Sequence, residues 1–227
     1  MGAQGVDEAP GRPVEGWVAD EVRRELPGLR LLSVSATCAR RQALTADSPR
    51  DVEAHLRMLS SHFRGARAVA LRREPLTAAY RIFFRQIGLD PDVERTPIEA
   101  AVLERMVRGG FPTGGLLHDV LTIAMLGTGV PVWALDRAAI DGPLGIRTSR
   151  EAEPLGEGRG APLIGAGRLV IADAATALCP LFGTAAPSHA VCAATRDVAL
   201  FAIQVPGVPE LYVDEALWSA RAALAQP

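Results

Sequence analysis

The chain contains no lysine and no asparagine. All 24 of its basic residues are therefore arginine. A GC-rich coding sequence explains that bias, but a physical consequence remains, because guanidinium is a planar fork that matches phosphate. Cysteine is scarce. Cys38, Cys179 and Cys192 are widely spaced and form neither a CxxC pair nor a zinc pattern, which predicts buried free thiols in a reducing cytosol. No apolar run approaches the roughly 20 residues that span a bilayer, so no membrane partner is expected. Met1 to Pro13 lacks the apolar core of a signal peptide, so a cytoplasmic location is expected. Catalytic signatures are also missing. There is no GxSxG elbow, no P-loop, no HExxH and no GxGxxG after a strand. The four histidines, His55, His62, His118 and His189, are scattered. Nothing calls for a metal or a cofactor.

What is present is an ordinary globular composition, 48% hydrophobic and 22% charged over 227 residues, enough for one large domain with a real core. The net charge of −2 excludes a wholly basic DNA-binding protein. The charge is uneven, however. Val22 to Arg85 holds 13 arginines against 5 acids, a local excess of +8, whereas Phe111 to the end holds 7 against 11. Such asymmetry marks either a nucleic-acid-facing surface or a solvated helical face.

Met1 to Gly16 is polar and rich in Gly and Pro, and reads as a disordered tail, leaving residues 17–227 as a single domain. Helices are expected at Val18 to Glu25, Asp51 to Phe63, Leu76 to Ile87, Ile98 to Val107, Leu116 to Leu126 (stopped by Gly127) and Val213 to Leu224. Thr96-Pro97-Ile98-Glu99 has the spacing of a capping box, with Thr96 as cap. Leu29 to Ala36 reads as a strand. Short β-like runs follow the helices at Val130 to Leu135, Gly145 to Thr148, Leu169 to Ala172 and Val198 to Val205. A helical first half and a strand-rich second half make the class α+β. Two glycine-bordered segments stand out. Arg108 to Gly115 is either a phosphate cradle or a helix-to-helix loop, and Leu178 to Gly183 is a tight apolar turn suited to a pocket wall.

Several pieces in order carry a resemblance. Pro75 to Pro91 contains Tyr80-Arg81, and Thr96 to Glu99 follows. Then come His118-Asp119-Val120, Gly129-Val-Pro-Val-Trp-Ala-Leu-Asp136, Ile140 to Arg147, Leu169-Val-Ile-Ala-Asp173 and Cys179 to Gly183, with Thr195 to Phe201 last. Over roughly residues 75–205 this order, and the spacing of Asp119, Pro131, Asp136, Arg147 and Asp173, resembles the free-standing relatives of the B3/B4 editing domain of the phenylalanyl-tRNA synthetase β subunit.

That resemblance implies a three-layer α+β domain that binds the acceptor end of an aminoacyl-tRNA and hydrolyses a wrongly attached amino acid, with no cofactor and no DNA partner. It implies a substrate pocket at Pro131, Trp133, Cys179, Gly183 and Phe201. His118, Asp119 and Thr122 are the polar candidates for chemistry, and Arg72, Arg73, Arg81 and Arg85 the candidates for tRNA contact. The chain also departs from the pattern. The family's pocket histidine aligns with Trp133, its tyrosine-recognising acid with Phe201, and the asparagine of its VDxxN segment with Thr122. A pocket without that carboxylate no longer favours a phenolic hydroxyl. The expected cognate is therefore smaller or less polar than tyrosine. Two other readings follow from the same residues: a non-catalytic tRNA- or RNA-binding module, and a small-molecule-binding protein or hydrolase on the same scaffold.

Overall fold

From Val198 to Val205 every residue but Gln204 is apolar, so this run has no solvent face to offer. In the computed structural model, which describes residues 12–40 and 42–226, it becomes the centre of the main sheet. Strand β10 (Asp197–Gln204) pairs antiparallel with β3 (Arg30–Thr37) along its full length, from Asp197 opposite Thr37 to Gln204 opposite Arg30. On its other side lies β4 (Val132–Asp136), again antiparallel. A short strand β1 (Val14–Glu15) extends the edge beside β3, giving the order β1-β3-β10-β4. A strand covered on both faces reads as a continuous hydrophobic run, not an alternating one.

The second sheet has the order β2-β5-β8-β9, built from Trp17–Val18, Gly145–Thr148, Leu169–Ala172 and Ala177–Pro180. Strands β6 (Glu153–Pro154) and β7 (Leu163–Ile164) form a small ribbon. The helices are α1 (Asp20–Glu25), α2 (Arg50–His62), α3 (Gly65–Ala70), α4 (Pro75–Gln86), α5 (Pro97–Arg108), α6 (Leu116–Thr128) and α7 (Glu210–Leu224). Helix α7 packs along β3 and β10, and α6 packs against α7 and β4. The main core joins these elements, and a smaller one (Leu56, Phe63, Leu71, Ile98, Val102, Phe111, Met125 and Leu126) lies beneath α2, α3 and α5. The class is α+β, with most helices in the first half and most strands in the second.

Three local readings are corrected, and one open choice is decided. Of the expected tail, residues 1–11 lie outside the described residues, but Val14–Glu15 are in the sheet opposite Ser33 and Leu32. Helix α6 runs through Gly127 and stops at Gly129, which takes the left-handed conformation with φ 81°. Thr96 does sit at the N-cap of α5, but its hydroxyl donates to the Glu99 carboxylate at 2.7 Å and accepts no backbone amide. The Arg108 to Gly115 segment is the helix-to-helix loop. The Gly114 amide donates to Asp119, and the Leu116 and Leu117 amides just beyond donate to the Ala46 and Leu44 carbonyls, so these amides are not free for a phosphate.

Candidate active site

Helix α6 begins with its first amides already satisfied by the 44–46 loop, which fixes the helix start against the main core. Asp119, one turn in, is completely buried, and its carboxylate is fully engaged. Oδ2 accepts from Ser48 Oγ at 2.6 Å, and Oδ1 accepts from the Gly114 amide at 2.9 Å. Oδ1 also accepts from His118 Nδ1–H at 3.0 Å, which leaves Nε2 as the free ring nitrogen. The His118 side chain is half exposed, at 51%. Its ring lies over Gly114, where a β-carbon would stand 2.6 Å from His118 Cγ, so a side chain at position 114 displaces the imidazole.

His118 and Thr122, one turn apart, face a cleft of about 600 Å³. Its opposite wall is aromatic. Trp133 of β4 stacks on Phe201 of β10, directly across the strand pair, with ring centroids 5.8 Å apart and planes 16° apart. Phe182 packs on Trp133 at 5.7 Å, on Phe84 at 5.0 Å, and edge-on against Tyr80 and Phe83. Phe182 has φ 61°, a conformation an aromatic residue rarely adopts, and the four surrounding rings hold it there. Tyr80 is buried and donates from its hydroxyl to the Ile203 carbonyl at 2.9 Å. The floor turn is tight, because a β-carbon on Gly183 would lie 2.9 Å from Pro180.

The structure thus brings His118, Thr122, Pro131, Trp133 and Gly183 into one lining. Phe201 stands behind Trp133, 1% exposed, and shapes the wall without forming its surface. Cys179 is buried beside the turn, and burial pushes its thiol up to about 12, so it is an inert core group there. Asp119 acts on the cleft only through His118. The other acids on which the resemblance rests hold turns. Asp136 accepts from the Ala138 amide and the Thr195 hydroxyl, and Asp173 from the amides of Asp141, Ala175 and Thr176. Burial works against the Asp173 charge, but those three amides outweigh it and keep the carboxyl below its ordinary range. Arg147 forms a two-point ion pair with Glu153.

The expected tRNA-contacting arginines do not gather at the cleft. Arg81 is buried and donates to Glu99 at 2.7 Å and to Asp92 at 2.8 Å. Arg72 pairs with the same two acids, and Arg85 reaches Asp92 at 3.9 Å. These three form a knot joining α4 to α5. Arg73 is exposed and makes no ion pair or hydrogen bond among the described residues. Two arginines whose guanidinium groups make no ion pair or hydrogen bond among the described residues were missed: Arg95, just ahead of α5, and Arg168, just ahead of β8, both in the cleft lining. Neither falls in the Arg-rich stretch, and only the fold brings them together. Among the described residues no cluster of three or more His, Cys, Asp or Glu offers a metal site, and no helix is long and apolar enough to cross a membrane.

Fold and site define an α+β domain with an apolar, aromatic-walled cleft and one carboxylate-oriented imidazole at its edge. Comparison with known proteins adds a partial relationship. The chain is 40% identical over 68 residues to the phenylalanine–tRNA ligase β subunit of Xanthomonas axonopodis pv. citri (strain 306), a stretch that is 30% of this chain and 8% of that subunit. The same extent and identity hold for the β subunit of Xanthomonas euvesicatoria pv. vesicatoria (strain 85-10). No family model matches the chain. A stretch of this protein is therefore related to a small part of that subunit.

Proposed function

We propose that the protein is a trans-editing deacylase that hydrolyses the ester bond of a misacylated aminoacyl-tRNA. The observation that carries this reading is the His118–Asp119 pair opening onto the aromatic cleft. The partial relationship to a tRNA ligase subunit supports the choice of substrate. An aminoacyl ester is already activated, so one oriented base and a positioned water suffice. In this scheme His118 Nε2 takes a proton from water as the water oxygen bonds to the acyl carbon. The ester C–O bond then breaks, and the same proton passes to the departing ribose oxygen. Asp119 is the positioning residue that keeps the proton on Nδ1. Thr122, whose hydroxyl has no partner among the described residues, is placed to donate to the acyl oxygen.

The cleft stays open at about 600 Å³ beside Trp133, which favours catalysis over a module that kept the fold and filled its pocket. Trp133 and Phe182 make the wall apolar and put no carboxylate there for a phenolic hydroxyl, so the cognate acyl group is smaller or less polar than tyrosyl. For holding tRNA, the first half of the chain offers Arg50 and Arg57 on α2, Arg64 just past its end, and Arg73. All four are exposed and unpaired among the described residues.

The test is a deacylation panel over tRNAs mischarged with small, aliphatic and aromatic amino acids. The expected result is hydrolysis of one class by the wild type, loss of about 10²-fold or more in His118→Gln, and a shift toward bulkier or more polar acyl groups in Trp133→His. Hydrolysis unchanged by His118→Gln overturns the mechanism. No hydrolysis of any member overturns the enzymatic reading.

A further inference from the structure

The cleft does not end at its aromatic wall. A second cavity of about 350 Å³ adjoins it, and the two share Leu89, Arg168, Pro180 and Leu181. Arg168 faces both cavities, and Arg95 lines the first from the α5 side. Neither guanidinium makes an ion pair or a hydrogen bond among the described residues, in contrast to Arg72 and Arg81 a short distance along the chain. Each leaves five N–H donors open, in the planar geometry that grips a phosphate. The same lining includes one carboxylate without a partner among the described residues, that of Glu94, next to Arg95 in sequence and exposed.

The lining therefore carries two positive charges and one negative charge around an apolar floor. The 3′ end of an aminoacylated strand carries the complement. It has a cationic α-ammonium group on the acyl residue, an apolar side chain, and the anionic phosphate of the terminal nucleotide. We propose that Arg95 and Arg168 hold that phosphate and that Glu94 accepts from the α-ammonium group, so that the cleft reads an aminoacyl nucleotide as a charged pair. The second cavity, with Glu25, Gln86 and Thr148 among its lining, receives the strand beyond the phosphate. This inference rests on the reading of the cleft as the acyl-ester site. It assigns roles to residues outside the segments on which that reading was built.

The test uses stable amide analogues of 3′-amino-3′-deoxyadenosine, acylated with alanine, leucine or phenylalanine, in three forms: the plain nucleoside, its 5′-phosphate, and its N-acetyl derivative. Calorimetry is run on the full chain. The 5′-phosphate is expected to bind about ten times tighter than the nucleoside, and N-acetylation to weaken binding about tenfold, each being the size of one charge-assisted contact. Arg95→Gln with Arg168→Gln removes the phosphate increment and spares the amine increment, and Glu94→Gln does the reverse. All three side chains lack partners among the described residues, so unchanged melting temperatures confirm that folding is intact. If phosphorylation makes no difference, or its increment survives in the double variant, the inference is overturned while nucleoside binding leaves the editing reading standing. If no analogue in any form binds, the editing reading fails and takes the inference with it.

Discussion

Asp119 is the residue that ties the fold to the candidate chemistry. Its carboxylate accepts three hydrogen bonds while fully buried, so no exchange for a neutral group is silent. In Asp119→Asn the NH2 group can turn only to Ser48 Oγ, the one partner able to accept, and the lost charge on the acceptor costs about 1–3 kcal/mol of stability. It also frees His118 to place its proton on Nε2, where it cannot act as base, and an equivalent carboxamide substitution in a catalytic triad lowers kcat by about 10⁴. Ser48→Ala serves as the control. It removes one donor and about 1 kcal/mol, but leaves the His118 bond in place. We expect Asp119→Asn to lose at least about 10² in kcat with KM little changed, and Ser48→Ala to keep kcat near wild type. If the two variants lose activity in parallel with their stability, Asp119 is only a brace. In the sequence Asp119 and its neighbour His118 were visible as candidates. The division of labour between them was not, because it depends on Ser48 and Gly114 arriving from other loops.

At the scale of elements, the segments most legible in the sequence turn out to be joints. Tyr80 ties α4 to β10 through the Ile203 carbonyl, and Arg81 ties α4 to α5 through Glu99, which also receives Thr96 and Arg72. The capping-box spacing located α5 correctly, but the Glu99 carboxylate has stronger partners in the arginines than the backbone amide a capping box supplies. Periodicity found the long helices and β10 because their burial is set locally. It missed α3, β1, β2, β6, β7 and β9. These elements are six residues or fewer, and the partners of β1 and β2 come from distant chain, as Val14 opposite Ser33 and Trp17 opposite Gly145 illustrate. The Phe182 conformation was equally unreadable, since only the assembled rings enforce it. The joint makes a prediction of its own. Arg81→Met leaves Glu99, 4% exposed, without its closest cation. Removing one partner of a buried pair costs about 3–5 kcal/mol, and the remaining Arg72 contact places the expected loss at the lower end. Pairing it with Glu99→Leu should recover much of that loss in chemical denaturation. A double variant no more stable than Arg81→Met means the knot is not energetically coupled.

Over the whole molecule, two sets of charges answer to different variables, pH and salt. The Arg147 guanidinium beside Glu153 holds that carboxyl below its ordinary range, and the backbone amides around Asp173 do the same after overcoming the effect of burial. Folded-state values below unfolded ones mean that this stability is complete above the unfolded values, about 4.3 for Glu and 3.9 for Asp. It is lost as pH falls through the folded values. The melting temperature should therefore hold from about pH 7 to pH 5 and drop steeply below about pH 4, and Glu153→Gln should flatten that drop.

The salt-sensitive set is the arginine surplus of the first half, and the structure divides it sharply. Arg30, Arg40, Arg72 and Arg81 are committed to carboxylates, and Arg67 lies over the Phe63 ring. Among the described residues, Arg50, Arg57 and Arg64, seven residues apart in sequence, remain outward and unpaired, with Arg73 beyond. Arg50 and Arg57 stand two helical turns apart on α2, about 10 Å at 1.5 Å per residue, and Arg64 follows just past the helix end, so the three are spread in a stripe and not gathered in a cluster. If this stripe follows a tRNA backbone, it neutralises about three phosphates, and the logarithm of affinity falls with the logarithm of salt with a slope of about −2 to −3. Arg50→Glu, Arg57→Glu and Arg64→Glu together should abolish most of that slope and weaken tRNA binding. Hydrolysis of a minimal aminoacyl-nucleotide ester, too short to reach α2, should be unchanged. A triple variant that retains the wild-type slope would place the tRNA on another face of the molecule, while a loss on both substrates would show that the substitutions had disturbed the fold beneath α2.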